Sequence, residues 1–175
     1  KTWEEAESTL QKEAVTLALG KAGMKAEEVR YLFAGDLLGQ STASSFGVSS
    51  FNIPHMGVYG ACSTCGETLG LGTMAISGEM AEDVVCVTSS HFASAEKEFR
   101  YPLAYGNQRP PSATWTVTGG AAFVLTSRMS KRNRAKITGV TNGKIVDYGI
   151  KDSLNMGACM APAACDLIAA NLQDF

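Results

Sequence analysis

The stretch VYGACSTCGETLGLG, residues 58–72, passes from an apolar run through a Gly-Ala pair into a series of small side chains. The apolar run has strand character. Residues 64–77 have helix length, and Gly66, Gly70, Gly72 and Ala75 supply a face of small side chains suited to close packing. Glycine costs about 1 kcal/mol at each helix-interior position, so such a face implies a neighbour that needs the room. A strand running into a helix that folds back on it is the building unit of layered α/β domains.

The flanking sequence repeats the alternation. Residues 2–22 read as a helix, with Thr2 as N-cap, Glu4, Glu5 and Glu7 where the helix dipole favours negative charge, and Gly23 beyond its end. Trp3, Ala6, Leu10, Ala14, Leu17 and Ala18 recur at helical spacing and predict its apolar face. Residues 31–34 read as a buried strand ending at Gly35-Asp36, and residues 37–50 as a polar loop leading to a short helix stopped at Asn52-Ile53-Pro54. Residues 55–60 form the next strand. DVVCVTS, residues 83–89, is a continuous apolar run, as in a strand covered on both faces. Residues 92–112, with Pro102, Pro110 and Pro111, read as an ordered excursion. Residues 117–126 form a strand carrying Gly119-Gly120, residues 134–146 a further strand or two, and residues 161–172 a helix with Pro162 in its first turn. The pattern predicts an α/β layered domain with a largely parallel sheet, and the part after Lys131 faintly repeats the first part.

The totals narrow the function. A chain of 175 residues with 45 % hydrophobic content can bury a core. The net charge of −2 is near neutral, and the short basic run at 131–134 lacks aromatic neighbours, so it reads as a solvated loop and not a nucleic-acid surface. No apolar run approaches the roughly 20 residues of a membrane span, and no signal peptide precedes the first helix. Five cysteines, an odd number in no framework spacing, suit a reducing compartment. A soluble, cytoplasmic protein is expected.

Cys62 falls at the strand-to-helix junction. The N–H groups of Ser63, Thr64 and Cys65 are expected to be unpaired there, which would lower the thiol pKa and seat a carboxylate or an oxyanion. The alternative is a buried cysteine serving as a small hydrophobe. Cys62 and Cys65 also form a CxxC, readable as a redox pair or half a metal site. The aromatic-Cys-Gly-Pro character of thioredoxins is missing, and Cys86, Cys159 and Cys165 are poorly spaced for zinc. No metal is expected, and Cys65 reads as an incidental small residue. Asp36 ends its strand at the carboxyl edge where α/β folds place their sites, as ligand-orienting group, base or turn cap. His91 also follows a strand and is the main candidate for acid–base work, whereas His55 reads as structural. Arg100 and Arg109 could clamp a dicarboxylate, or lie solvated on the surface. There is no phosphate-binding loop, and GLG is too short for a dinucleotide fingerprint.

These residues carry a resemblance. The order of AGMKAEEVRYLFAGD, VYGACST, a small-residue helix, EDVVCVTSSH and TVTGGAAFVL resembles the N-terminal half of the thiolase-like superfamily, with Cys62 at the position of its nucleophile. More specifically, AGDLLGQ, YGACST, TSSH, EKEFRYPLAYGNQRP, SATWTVTGGAAFVL and NMGACMAPAACD resemble the stage V sporulation protein AD family along almost the whole chain. The resemblance implies a thiolase-like fold with a layered, mixed, mostly parallel sheet. Residues 1–130 would be an N-terminal half lacking its first strand, which the resemblance places in the middle of the sheet, and 131–175 the beginning of a C-terminal half. The chain thus reads as a fragment.

The function implied is non-catalytic binding of dipicolinic acid (pyridine-2,6-dicarboxylate) for its uptake into developing endospores and release at germination. The resemblance also implies membrane subunits of the spore dipicolinate channel as partners, a homodimer, and a place peripheral to the inner spore membrane. Asp36 and Cys62 match the family's binding pocket, acting for Asp36 through calcium, water or a positioned donor. Ser63 is added from the helix-terminus argument, and an arginine, Arg100 or Arg109, would receive the second carboxylate. No cofactor is implied, calcium accompanying dipicolinate aside. Two other readings stand beside this one. One is a ketoacyl synthase-like acyltransferase with Cys62 as nucleophile, the Ser63 N–H near the oxyanion and His91 as a further catalytic candidate; the other is a structural subunit with a vestigial pocket. The partner groups of catalysis would lie in the second half, so the enzyme question stays open.

Overall fold

The structure, a computed structural model, describes residues 2–96, 106, 108, 110–111, 115–129, 135–152 and 155–175. The chain divides into two compact units, Lys1–Arg134 and Ala135–Phe175.

The first unit opens with α1 (Trp3–Ala22), bounded as its capping residues require. Thr2 Oγ1 accepts the Glu5 N–H at 3.2 Å, and Glu5 Oε2 accepts the Thr2 N–H at 2.7 Å, a reciprocal capping box. Gly23, with φ at 68°, closes the other end in the left-handed conformation. The buried side of α1 differs from the expected stripe: it consists of Glu7, Gln11, Val15 and Leu19, while Trp3 and Leu17 are exposed. The second half of the helix lies on the aliphatic core, and the first half lies over the carboxyl edge of the sheet. Backbone and hydroxyl groups there need polar partners.

After a 3-10 turn come β1 (Tyr31–Gly35), α2 (Thr42–Val48) between two further 3-10 turns, and β2 (His55–Val58). A 3-10 turn at Ala61–Ser63 leads into α3 (Thr64–Ser77), followed by β3 (Asp83–Ser90), α4 (Phe92–Ala95) and β4 (Gly119–Thr126). The strand order is β2-β1-β3-β4, with β1 parallel to both neighbours and β4 antiparallel to β3. The sheet is mixed and mostly parallel, in agreement with the fold class read from the sequence. In this chain β1 pairs directly with β3, from Tyr31↔Val84 to Gly35↔Thr88.

The apolar run of β3 is buried on both faces. Val85 and Val87 join Val15, Leu19, Leu32 and Ala34 on one side, and Val84 and Cys86 join Phe33 and Ala75 on the other. The small face of α3 seats it on this second side. A side chain at Gly72 would begin 2.7 Å from Cys86 Sγ and 3.0 Å from Leu125 Cδ1. Gly66 is exposed and lies outside that contact.

The second unit is built on α5 (Met156–Asp174), whose N-cap Asn155 accepts the Ala158 N–H at 3.1 Å. This cap starts the helix well ahead of position 161, so Pro162 lies inside it and not in its first turn. Residues 135–152 have no regular structure where a strand or two was expected. A strand exists only by pairing its backbone with another strand, and here the neighbour is a helix reached through side chains. Lys144 Nζ stands 3.1 Å from Asp166 Oδ1, and Thr141 Oγ1 donates to Asp174 Oδ2 at 2.6 Å. No helix among the described residues is long and apolar enough to cross a membrane.

Candidate functional site

The ends of β1 and β2 and the start of α3 converge at the carboxyl edge of the sheet. Gly35 pairs with Val58, and a side chain at Gly35 would begin 2.2 Å from Thr64 Cγ2 and 2.4 Å from Val58 O. Only hydrogen fits there. On the far side of the contact, Ala61 holds φ at 48° and presents the next residue, Cys62, as an exposed thiol. Gln40 and Ser41, with φ at 60° and 53°, repeat the same strained conformation in the loop after β1. A left-handed non-glycine residue costs roughly 1–2 kcal/mol, and such costs gather at functional sites. Ala61→Gly should therefore stabilise the intact protein by about 0.5–1 kcal/mol in urea unfolding. A destabilised variant would show that the turn is unstrained.

The helix start is more fully paired than its sequence suggests. Ser63 N–H donates to Gly60 O at 3.0 Å, and Thr64 N–H donates to Ala61 O. The chain enters α3 through a 3-10 turn, whose tighter bonding uses the amides that a direct entry would leave free, so the expectation of unpaired groups at Ser63 and Thr64 is corrected. The Ser63 hydroxyl is exposed, within reach of Gly60 O at 2.8 Å and of Glu67 Oε1. Glu67 lies in the first turn of α3, so one of the chain's own carboxylates already stands where the dipole favours negative charge.

Asp36 lies one residue past β1 and is fully buried. Its Oδ1 accepts the Leu38 N–H at 2.7 Å; its Oδ2 accepts the Ser44 N–H at 2.6 Å and the Ser44 hydroxyl at 2.5 Å. It thereby ties the β1–α2 loop to the first turn of α2. The network continues inward. Gln11 Nε2 lies 2.9 Å from Ser44 Oγ, 3.0 Å from Gly35 O and 3.0 Å from Ser89 Oγ, and the Ser89 hydroxyl donates to Glu7 Oε1 at 3.0 Å. Burial, aided by the Asp36 carboxylate, pushes the Glu7 carboxyl up to about 7 against the Ser89 hydrogen bond.

Cys62, Ser63 and Asp36 thus share one edge of the sheet. His91 lies at the end of β3, stacked on Phe92 with ring centroids 5.2 Å apart, and its carbonyl accepts the Ala95 N–H at 3.1 Å. His55, on β2, has its pKa lowered by burial. Arg100 and Arg109 lie outside the described residues. Cys65 is half-buried, and Cys86 is sealed in the core, its sulfur 3.1 Å from Thr68 O and its thiol pushed up to about 12 by burial. Among the described residues no group of three or more His, Cys, Asp or Glu could hold a metal ion. Gln11, Ser44, Ser89 and Glu67 lie outside the residues the sequence points to, and Glu7 stands out there only for the helix dipole and not as part of a site. Glu7 and Gln11 carried a signal, because they lie in phase with Val15 and Leu19 on one helix face.

A family model described as Stage V sporulation protein AD matches residues 1–175. The chain is 41 % identical over 175 residues to Stage V sporulation protein AD of Bacillus subtilis (strain 168), covering all of this chain and 51 % of that protein. It therefore spans about half the length of the curated relative it matches. Among solved structures, the chain is similar to germicidin synthase from Streptomyces coelicolor, a type III polyketide synthase, at TM-score 0.57 and 16 % identity over 73 % of this chain and 34 % of that one. It is also similar to 3-oxoacyl-[acyl-carrier-protein] synthase III from Aquifex aeolicus, at TM-score 0.54 and 18 % identity over 69 % and 38 % of the two chains. At these identities the likeness concerns the fold.

Proposed function

The chain belongs to the stage V sporulation protein AD family and has a thiolase-like fold, and from that premise we propose that the intact protein binds dipicolinate around Cys62 without chemical turnover. The observation that carries this reading is the Ala61–Cys62 turn, where a strained residue holds an exposed thiol at the carboxyl edge. Two features speak against turnover. The Ser63 and Thr64 amides are already paired, and charge developing on an acyl oxygen beside Ser63 would meet the Glu67 carboxylate.

The same carboxylate bears on the form of the ligand. Glu67 would repel a bare dianion from the Ser63 hydroxyl, whereas a calcium chelate brings a hard cation that accepts carboxylate oxygens. Calcium accordingly enters with dipicolinate as cargo. Cys62 and Ser63 border the ligand, Asp36 positions the adjoining loop, and Arg100 or Arg109 receives the outer carboxylate. In the cell the protein would serve the membrane subunits of the spore dipicolinate channel as a peripheral homodimer at the inner spore membrane.

Calorimetric titration of the intact protein tests this. Dipicolinate should saturate and pyridine should not, with tighter binding when calcium is present. Cys62→Ala should weaken binding about tenfold, a change of about 1.4 kcal/mol, and Cys65→Ala less than about twofold. Equal, weak heats from both compounds would remove the reading. The exposed thiol equally suits the second reading, an acyltransferase with Cys62 as nucleophile; an acyl adduct on Cys62 after incubation with acyl-coenzyme A, seen by intact mass, would replace the first reading with it.

A further inference from the structure

Glu7 has no part in the proposed contacts, yet it is a fully buried carboxyl at one end of a continuous hydrogen-bonded chain whose other end is Asp36. That chain crosses from α1 through β3 and α2 to the loop after β1. The loop in turn touches the junction, since Ser41 Oγ reaches toward Val58 O at 3.5 Å and Gly35 abuts Thr64. We propose that Glu7 is a proton-operated positioning residue, its charge state passing along Ser89, Gln11 and Ser44 to Asp36 and so setting the loop beside Cys62. The consequence for ligand occupancy rests on the binding role proposed above.

The surroundings of Glu7 make it the titrating member. Of the elements packed on α1, α2 and β4 carry no ionisable side chain. On β3, Asp83 lies at the far end and Cys86 faces α3, which leaves Ser89 as the neighbour. From α4 the neighbour is Ser94, with His91 and Glu96 flanking that helix. Asp36 is the charged group that acts on Glu7; the Leu37 N–H and the Ser94 hydroxyl favour its ionised form more weakly than burial opposes it. Glu7 Oε2 has no close hydrogen-bond partner. A proton there breaks no close hydrogen bond, and its departure puts a second negative charge into the network that holds Asp36. The Gln11 amide, shared between Ser44 and Ser89, would then be drawn toward Ser89 and away from Ser44.

Hydrogen exchange on the intact, ligand-free protein between about pH 6 and about pH 8 tests the device. Protection of the Leu38 and Ser44 amides, corrected for intrinsic exchange, should fall severalfold across this range in the wild type and stay level in Glu7→Gln, which mimics the protonated acid. Ser89→Ala removes the link between Glu7 and Gln11 and should level the amide profile as well, while the Glu7 carboxyl itself, followed by its carbon-13 shift, should titrate at higher pH for want of a donor. Dipicolinate affinity, measured over the same range, should fall severalfold in the wild type and remain flat in Glu7→Gln. Parallel amide profiles in wild type, Glu7→Gln and Ser89→Ala would overturn the proposal. If the amides respond as expected but dipicolinate binds at no pH, the positioning network stands and the ligand assignment falls.

Discussion

Gly35→Ala should be the most damaging single substitution in this part of the protein, lowering the stability of the intact protein by about 3 kcal/mol or more. The added methyl would begin 2.2 Å from Thr64 Cγ2 and 2.4 Å from the Val58 carbonyl oxygen. A side chain can turn away from such a clash, but a backbone carbonyl in a strand pair cannot move without breaking its ladder. Separation of β1 from β2 would follow, together with displacement of the turn that presents Cys62. At roughly 2–4 °C per kcal/mol, the melting temperature should drop by about 10 °C. Thr64→Ser in the same background should recover only part of the loss, because it removes the methyl and leaves the carbonyl. A Gly35→Ala protein that melts with the wild type would mean that the strand ends are not packed as described.

Asp36→Ala should cost about 3 kcal/mol or more through a different mechanism. Removing the carboxylate leaves the Leu38 N–H, the Ser44 N–H and the Ser44 hydroxyl without their acceptor in a buried place, at about 1–3 kcal/mol for each group left unsatisfied. Asp36→Asn should lose less, since its carbonyl keeps one acceptor while its amide group faces donors. Equilibrium urea unfolding of the three proteins gives the order wild type, Asn, Ala. Equal stability of Asp36→Ala and wild type would show that solvent already serves these donors. Loss of the Asp36 charge also removes part of what pushes Glu7 up, so the Glu7 carboxyl should titrate at lower pH in both variants.

Glu7 itself gives stability a defined slope. A carboxyl raised from 4.5 to about 7 binds its proton more tightly in the folded than in the unfolded chain. Stability is therefore fully present below the unfolded value and is lost as pH rises toward and through the folded one, up to roughly 3 kcal/mol in all. The direction is opposite to that of a salt-bridged carboxylate, and it is the direction in which the loop at Asp36 is expected to loosen.

What the sequence disclosed follows from how local each cause is. The ends of α1 were legible because capping needs only Thr2, Glu5 and Gly23 and no distant partner. β3 was legible because burial on both faces demands an unbroken apolar run. The place of Cys62 at a junction followed from the strand-to-helix change around it, whereas its exposure did not, since a buried cysteine fits the same local pattern; the resemblance placed the chain in its family. The buried face of α1 is not legible in the sequence because small apolar residues at helical spacing outnumber Glu7 and Gln11. What buries those two polar residues is a set of partners on Gly35, Ser44 and Ser89, far away in the chain. Nothing in ACST distinguishes a 3-10 entry from a direct one, so the sequence alone predicts free amides at Ser63 and Thr64 where the structure pairs them. Residues 135–152 have the composition of strands, but composition supplies no neighbour to pair with.

The seat of Cys86 against Gly72 has a practical meaning. A sulfur held at 0 % exposure, with its thiol pushed up to about 12, is closed to alkylating reagents for as long as α3 lies on β3. Its first reaction with such a reagent marks the moment the two layers part, which makes this cysteine an internal clock for the opening of the sheet.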